Sequence, residues 1–568
     1  MAMPFWRWDT RPSITEETSA LIRAFPSLGL SAAQVEILRR RRSHNSLSVI
    51  HRLPTELLVA IFLQAIHIPE NELFSRKKSD GLHKLRNLAG VSSAWKEIVR
   101  ACPDLWSVVD GRDTPHIWKA VLSLSKATPI MVFLPPAPQF DVKFWEAVSQ
   151  HVSRWQSARL WLTQDADLSP LGLMDAPEVS RIDLARSGDK SVVVDLFQGN
   201  APRLEILKLT RVGLFDWSTP FLSSSHLRVL SLAKVEASGP TIQQLAHTLR
   251  SCGALEELSL WMITYKYGAT PTDPASDTVP TISLPNLRDL TVYPITPDFI
   301  THVLEVLDTP NCARITIGSP EDPPITACIE FTTPLLRSAL AIATNGSLIF
   351  DTWGCKLEVY NREAKRASFS IRVLASSTEL AIDWALTAFG HTLAKLTTSL
   401  ILEGLPPFSL QYFVTILRRL SALKTIRLRG GHVCAVLDVL GAARELPHPV
   451  WVCPKLENLY FEECSYCQSI DIWKLVEART KAARTGAWLE IAGIKKVAPV
   501  RFKVLDISRW SKMDGETFKK IERTLGRIVA RWHGGQALES DEMDVDDKDA
   551  DMEIGGSLHP VGDDGNDI

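Results

Sequence analysis

Leu204-Glu205-Ile206-Leu207-Lys208-Leu209 carries leucine at positions 1, 4 and 6 of a short unit. The spacing recurs at Val179-x-x-Ile182-x-Leu184, Leu227-x-x-Leu230-x-Leu232 and Leu255-x-x-Leu258-x-Leu260. It continues at Leu287-x-x-Leu290-x-Val292 and Cys312-x-x-Ile315-x-Ile317. Counted from Val179, successive units start 25, 23, 28, 32 and 25 residues apart. Further copies stand at Leu423-x-x-Ile426-x-Leu428 and Leu456-x-x-Leu459-x-Phe461, with a poorer one at Thr397-x-x-Leu400-x-Leu402. In an extended chain, positions 4 and 6 point to one face and positions 3, 5 and 7 to the other. Segments such as Thr241–Leu249 have helical spacing and would return the chain between strands. A unit this small buries its apolar side only against its neighbours, so the copies must stack.

The unit and its period resemble a leucine-rich repeat. The resemblance implies a solenoid with a parallel sheet on the concave side and helices on the convex side. The usual Asn or Cys at position 9 is mostly replaced, by Val212, Val235, Ile263 and Ile295, so an irregular solenoid is expected. An ordinary α/β domain with parallel strands is the alternative that uneven spacing allows. Residues 318–396 break the period. Ser347–Phe350, Lys356–Tyr360 and Ser368–Val373 read as short strands, the last two flanking a hairpin turn at Asn361–Arg366. They form a β-rich insertion, or modified repeats that continue the sheet. Residues 501–536 are expected to cap the last repeat with a charged helix from Gly515 to Trp532, docked through Phe518, Ile521, Leu525 and Ile528.

At the other end, Ile50-His51-Arg52-Leu53-Pro54-Thr55-Glu56-Leu57-Leu58-Val59-Ala60-Ile61-Phe62 opens a helix. Pro54 suits a first turn, and Leu57, Leu58, Ile61 and Phe62 colour one side apolar. An insertion with loop composition follows, then leucines at 82, 85 and 88, and a serine-capped helix bearing Trp95. Cys102-Pro103-Asp104-Leu105-Trp106 ends it. The order Leu-Pro-x-Glu-Leu, Val91-x-x-x-Trp95, Pro-x-Leu-Trp resembles an F-box, the module that docks on the Skp-type adaptor of a cullin–RING ubiquitin ligase. The long insertion resembles divergent fungal-type F-box proteins, and Ser92 stands where the family usually has Cys. The resemblance implies that Leu53, Pro54, Leu57, Leu58, Ile61, Phe62, Val91 and Trp95 provide the adaptor-facing and bundle-core surface. A plain three-helix bundle using these residues for its own core is the other reading.

The fold class is therefore α/β, in five parts. Residues 1–46 are a helical lead-in with capping-box pairs Ser13/Glu16 and Ser31/Gln34. Residues 47–110 are the F-box-like domain, and 111–500 the repeat solenoid with its β-rich insertion. The capping helix occupies 501–536, and 537–568 is an acidic tail expected to be disordered. Arg39–Arg42 is either the solvated end of a helix or an import or anion-binding patch.

A length of 568 residues exceeds a single core. From Glu539 on the chain has 12 acidic residues and one Lys, which leaves the body at about +9 and the tail at −11 within a net charge of −2. That asymmetry names no nucleic-acid partner. No apolar run nears the ~20 residues of a membrane span, the first residues lack a signal-peptide core, and nine cysteines form no disulfide framework. A cytoplasmic or nuclear protein is expected.

No phosphate-loop, dinucleotide, nucleophile-elbow or zinc-protease string occurs, so no catalytic residue, cofactor or metal is expected. Asp547–Asp551 imitates the start of a calcium loop without its Gly or closing Glu. Cys464-x-x-Cys467 has Cys453 as its close companion and reads as structural, since Cys464 falls at position 9. Most tryptophans (95, 106, 118, 145, 155) are expected in the core. Trp261, Tyr293, Arg427, Arg429, Tyr460 and Glu462 sit at outward positions 5 and 7, where aromatic and Arg side chains make binding hot spots or a solvated face. Together these imply a non-enzymatic substrate receptor: the F-box binds the Skp-type adaptor and through it a cullin, and the repeats bind a protein target. The alternative is a repeat scaffold acting without ubiquitination.

Overall fold

The computed structural model describes residues 48–66, 81–135, 142–163, 166–188, 192–214, 226–235, 242–263, 281–293, 297–318, 343–351, 354–361, 369–374, 396–404, 410–430, 434–441, 451–464, 467–485, 499–509, 513–526 and 530–532, with isolated positions between them. The lead-in helices, the insertion between Ile66 and Gly81 and the acidic tail lie outside the described residues, apart from exposed helical positions such as Arg39 and Arg40. The chain forms two compact units, Met1–Thr344 with Trp353–Trp384, and Asn345–Thr352 with Ala385–Ile568.

The first unit opens with three helices, α1 (Thr55–Ile66), α2 (Gly81–Val91) and α3 (Ser93–Ala101), around a shared core. A strand series follows: β1 (Val108–Asp110), β2 (Ile130–Leu134), β3 (Trp155–Leu162), β4 (Arg181–Arg186) and β5 (Ile206–Thr210). It continues through β6 (Val229–Ala233), β7 (Glu257–Trp261), β8 (Asp289–Tyr293) and β9 (Arg314–Gly318). Each pairs in parallel with the next. The next strand in the chain, β10 (Ala343–Asp351), belongs from Asn345 on to the second unit. The first unit is completed by β11 (Gly354–Asn361) and β12 (Phe369–Leu374), an antiparallel pair whose second member lies parallel to β9. The expected hairpin is therefore present, and β12 keeps the ladder going; the turn itself lies outside the described residues.

Between the strands of this unit run α4 (Pro115–Leu124), α5 (Val142–Ser149), α6 (Ile242–Ser251) and α7 (Pro297–Val306). The expected strand at every copy of the unit spans positions 3 to 7, and from β5 to β8 each position 4 and 6 side chain is 1% exposed or less. Leu245, Ala246 and Leu249 of α6 are buried as well, so the core lies between sheet and helices.

The second unit runs β10, β13 (Thr397–Glu403), β14 (Thr425–Arg429), β15 (Asn458–Glu462), β16 (Val504–Arg509) and β17 (Ala530–Arg531), all in parallel. Its helices are α8 (Leu410–Arg419), α9 (Cys434–Gly441), α10 (Ser469–Thr485) and α11 (Gly515–Leu525). Here the expected C-terminal helix is shorter than the spacing predicts. It stops at Gly526, whose φ of 95° a side chain rarely adopts, and the chain re-enters the sheet as β17. Residues 501–536 thus add strand, helix and strand rather than a helix alone. Each unit is a mixed α/β ladder with a mostly parallel sheet, in keeping with a leucine-rich-repeat-like solenoid.

Turns after the strands share one device. Arg211, Lys234, Met262 and Glu463 take positive φ of 57°, 54°, 51° and 55° at position 8, where Gly404 and Gly430 take 57° and 62°. The Arg211, Lys234 and Gly430 N–H groups donate to Ala233, Trp261 and Glu462 carbonyls at 2.8 Å, the position 7 residue of the next strand. That bond extends the ladder one residue past the strand and offsets part of the left-handed conformation's cost of about 1–2 kcal/mol at the non-glycine positions. It then turns position 9 inward: Val212, Val235, Ile263 and Cys464 are fully buried, while Ile295 lies outside the described residues.

Candidate functional site

In the N-terminal helices the apolar residues part into two sets. Leu58 and Phe62, one turn apart, point inward to Leu85, Trp95, Val99 and Leu105. Trp95 packs its ring on Phe62 at 4.7 Å and on His51 at 5.7 Å. Ser92 caps α3 by accepting the Trp95 N–H at 3.2 Å, and the Trp106 indole donates to the Val99 carbonyl at 2.7 Å. Leu57 and Ile61, also one turn apart, stand about 100° around the helix and are 51% and 42% exposed. Val91, at the end of α2, is 48% exposed. Pro54 is exposed and Leu53 half-buried. The eight expected adaptor-contact residues thus divide: Leu58, Phe62 and Trp95 belong to the module's own core, Leu53 packs half-buried against it, and Pro54, Leu57, Ile61 and Val91 face outward. Six of the ten large exposed apolar side chains among the described residues lie between Val49 and Val91. Among the described residues, apolar surface is concentrated in this segment and scattered elsewhere.

On the sheet of the first unit, register aligns position 7 across strands as Trp161, Ala185, Thr210, Ala233, Trp261 and Tyr293. The Trp261 and Tyr293 rings stack 4.3 Å apart at 16°. Gly318 makes room for them: a Cβ there would meet the Tyr293 ring at 2.8 Å and Leu374 at 2.5 Å. Between Trp161 and Trp261 the row carries the smaller residues Ala185, Thr210 and Ala233. Arg159 and Asp183 pair at 3.1 Å in the neighbouring row. Trp161 is a member that the sequence reading missed, because its repeat begins with Trp155 instead of leucine.

In the second unit the outward residues make a charged mosaic. Register places Glu403, Arg429 and Glu462 in one row, alternating in sign. Arg429 lies 3.9 Å from Glu403 and 4.0 Å from Glu462. Arg427 reaches Glu462 at 3.7 Å and sits 5.3 Å from the centre of the Tyr460 ring. Arg427, Arg429, Tyr460 and Glu462 therefore form one cluster, and Trp261 and Tyr293 another, in separate units.

The thiols also sort by place. Cys464 is fully buried and donates to the Leu428 carbonyl at 3.4 Å, as expected of a position 9 cysteine. Burial pushes its pKa up to about 11. Cys453, the expected companion, instead donates to the Leu417 carbonyl beside the buried Arg479 guanidinium. The thiol that meets Cys467 is Cys434, which the sequence reading did not single out. Cys434, Cys467 and Asp471 bring their ligand atoms within 4.8 Å of one another. Cys434 and Cys467 are both position 12 of consecutive repeats, counted from Leu423 and Leu456, and that shared position is where the sequence held the signal.

No protein-family model matches the chain, and no curated protein matches it. Among solved structures it is similar to a leucine-rich-repeat (LRR) protein of Leptospira interrogans, at 11% identity, over 76% of this chain and 91% of that one. With a TM-score of 0.29 that likeness carries no argument of its own, and the repeat architecture rests on the strand ladders.

Proposed function

We propose that the chain is a substrate-recognition subunit of a Skp–cullin–F-box type ubiquitin ligase and is not itself the catalyst. The N-terminal helices dock on the Skp-type adaptor, and the outward faces of the repeat strands hold a protein target. The observation that carries this reading is the split in α1. A bundle that served only itself would turn its apolar residues inward, as Leu58 and Phe62 do; Leu57, Ile61 and Val91 remain in solvent. Burying a Leu or Ile side chain contributes roughly 1.5–3 kcal/mol, so an apolar partner helix gains substantially from this surface. The stacked Trp261–Tyr293 pair and the Arg427–Tyr460 cluster are of the residue types that dominate binding energy in interfaces.

The test is affinity purification of the full chain from cells with the proteasome blocked, beside the Leu57→Asp/Ile61→Asp variant. The reading expects a Skp-type adaptor and a cullin with the wild type, both lost from the variant. It also expects a target protein retained by the variant, with a longer lifetime in cells that carry the variant. Retention of a target whose lifetime does not change, with no adaptor recovered, would make the chain a ligase-independent scaffold.

A further inference from the structure

Cys434 is the first residue of α9, Cys467 lies just ahead of α10, and Asp471 is in the first turn of α10. The N-terminal ends of two helices thus bring two thiols and a carboxylate together. Their ligand atoms already lie within 4.8 Å of one another, and donors of a tetrahedral zinc site stand about 3.8 Å apart when each bond is near 2.3 Å. Small rotamer changes close that difference. Asp471 is held for such a role: the Gln468 N–H donates to its Oδ2 at 3.2 Å, while Lys474 reaches Oδ1 only at 3.9 Å from a solvent-exposed position.

We propose that Cys434, Cys467 and Asp471 form a binding site for a thiophilic divalent cation of the zinc type, with a solvent molecule in the fourth position. Two soft sulfurs exclude the hard cations that prefer all-oxygen cages. Such an ion would tie the segment after β14 to the segment after β15, clamping consecutive repeats at their strand ends. Its role is structural, and it does not depend on what the ladder binds.

The experiment uses the full chain kept reduced with a non-chelating phosphine, stripped of metal, and titrated with Co²⁺ and then Zn²⁺. The expected result is a single equivalent of Co²⁺ giving a thiolate charge-transfer band and tetrahedral visible absorption, displaced by Zn²⁺, with a raised melting temperature. Cys434→Ser and Cys467→Ser should each abolish the band and weaken binding by more than the 10–100-fold typical of outer-shell changes. Asp471→Asn should shift the visible absorption, and Cys453→Ser should change nothing. Circular dichroism establishes that each variant is folded before titration; should a serine variant not fold, alkylation protection of Cys434 and Cys467 by Zn²⁺ in the wild type replaces it. A folded wild type without the charge-transfer band, or a band surviving in both serine variants, overturns the proposal. So does failure of Zn²⁺ to protect the two thiols.

Discussion

A single side chain holds a large share of the second unit together. Arg479 is 1% exposed and pairs with no carboxylate among the described residues; its guanidinium donates to the carbonyls of Leu440 and Val452 at 3.4 and 3.3 Å and of Cys453 at 2.9 Å. The Trp451 and Phe502 rings lie 6.0 and 5.5 Å away. Burial lowers its pKa to about 10, which keeps it cationic at neutral pH. The planar fork serves three carbonyls at once, a task a lysine point charge cannot share. Arg479→Ala leaves those carbonyls without their donor and opens a cavity, so unfolding in urea should show a loss of about 3 kcal/mol. Arg479→Lys should recover only part of it. A loss under about 0.5 kcal/mol for the alanine variant would mean that these carbonyls find other partners. The Leu57/Leu58 pair makes the complementary point. Adjacent leucines on a helix differ by about 100°, and that angle sends one into the core and leaves the other outside. A helical period marks both as apolar without telling which way the helix is turned.

Among elements, α11 shows how a cap decides an end. The Asp514 carboxylate accepts the Thr517 N–H at 2.7 Å, and its own N–H donates to Ser469 Oγ at 3.0 Å. The Thr517 N–H first, then the Thr517 and Ser469 hydroxyls, hold the carboxyl below its usual pKa. A lowered folded-state pKa gives stability that is present above the ordinary carboxylate value and is lost as pH falls through the folded value. Asp514→Ala should therefore cost about 1 kcal/mol at neutral pH, with the gap from wild type closing below about pH 4. Urea melts across that range check it; a gap independent of pH would assign the cost to something other than the charged cap. Strands were legible wherever Leu or Ile filled positions 1, 4 and 6. The strands β2, β3 and β16 were missed because Pro129, Trp155 and Phe502 stand at position 1, although their inward pairs Val132/Leu134, Ala158/Leu160 and Leu505/Ile507 are buried like the others. The end of α11 was misplaced because apolar residues continue at helical spacing beyond Gly526, where backbone conformation rather than hydrophobic pattern stops the helix.

For the whole molecule, the ladders settle the architecture and the site is a matter of what faces away from them. Register is invisible in a sequence until the strands are known. It is register that brings Trp261 to Tyr293, Arg427 to Tyr460, and Cys434 to Cys467 across 33 residues of chain. The aromatic pair belongs to the first unit and the charged cluster to the second. The N-terminal module differs from both ladders in its surplus of exposed apolar side chains, and the proposed function turns on that surplus. The direct measurement is calorimetric titration of the purified full chain with a purified Skp-type adaptor. The wild type should bind with a dissociation constant of a micromolar or tighter, about −8 kcal/mol. Leu57→Asp/Ile61→Asp should weaken it at least tenfold, and Leu173→Asp, at an exposed leucine outside the module, should leave it unchanged. Absence of heat from the folded wild type at micromolar concentration, or equal affinity in the Leu57→Asp/Ile61→Asp variant, would contradict the account.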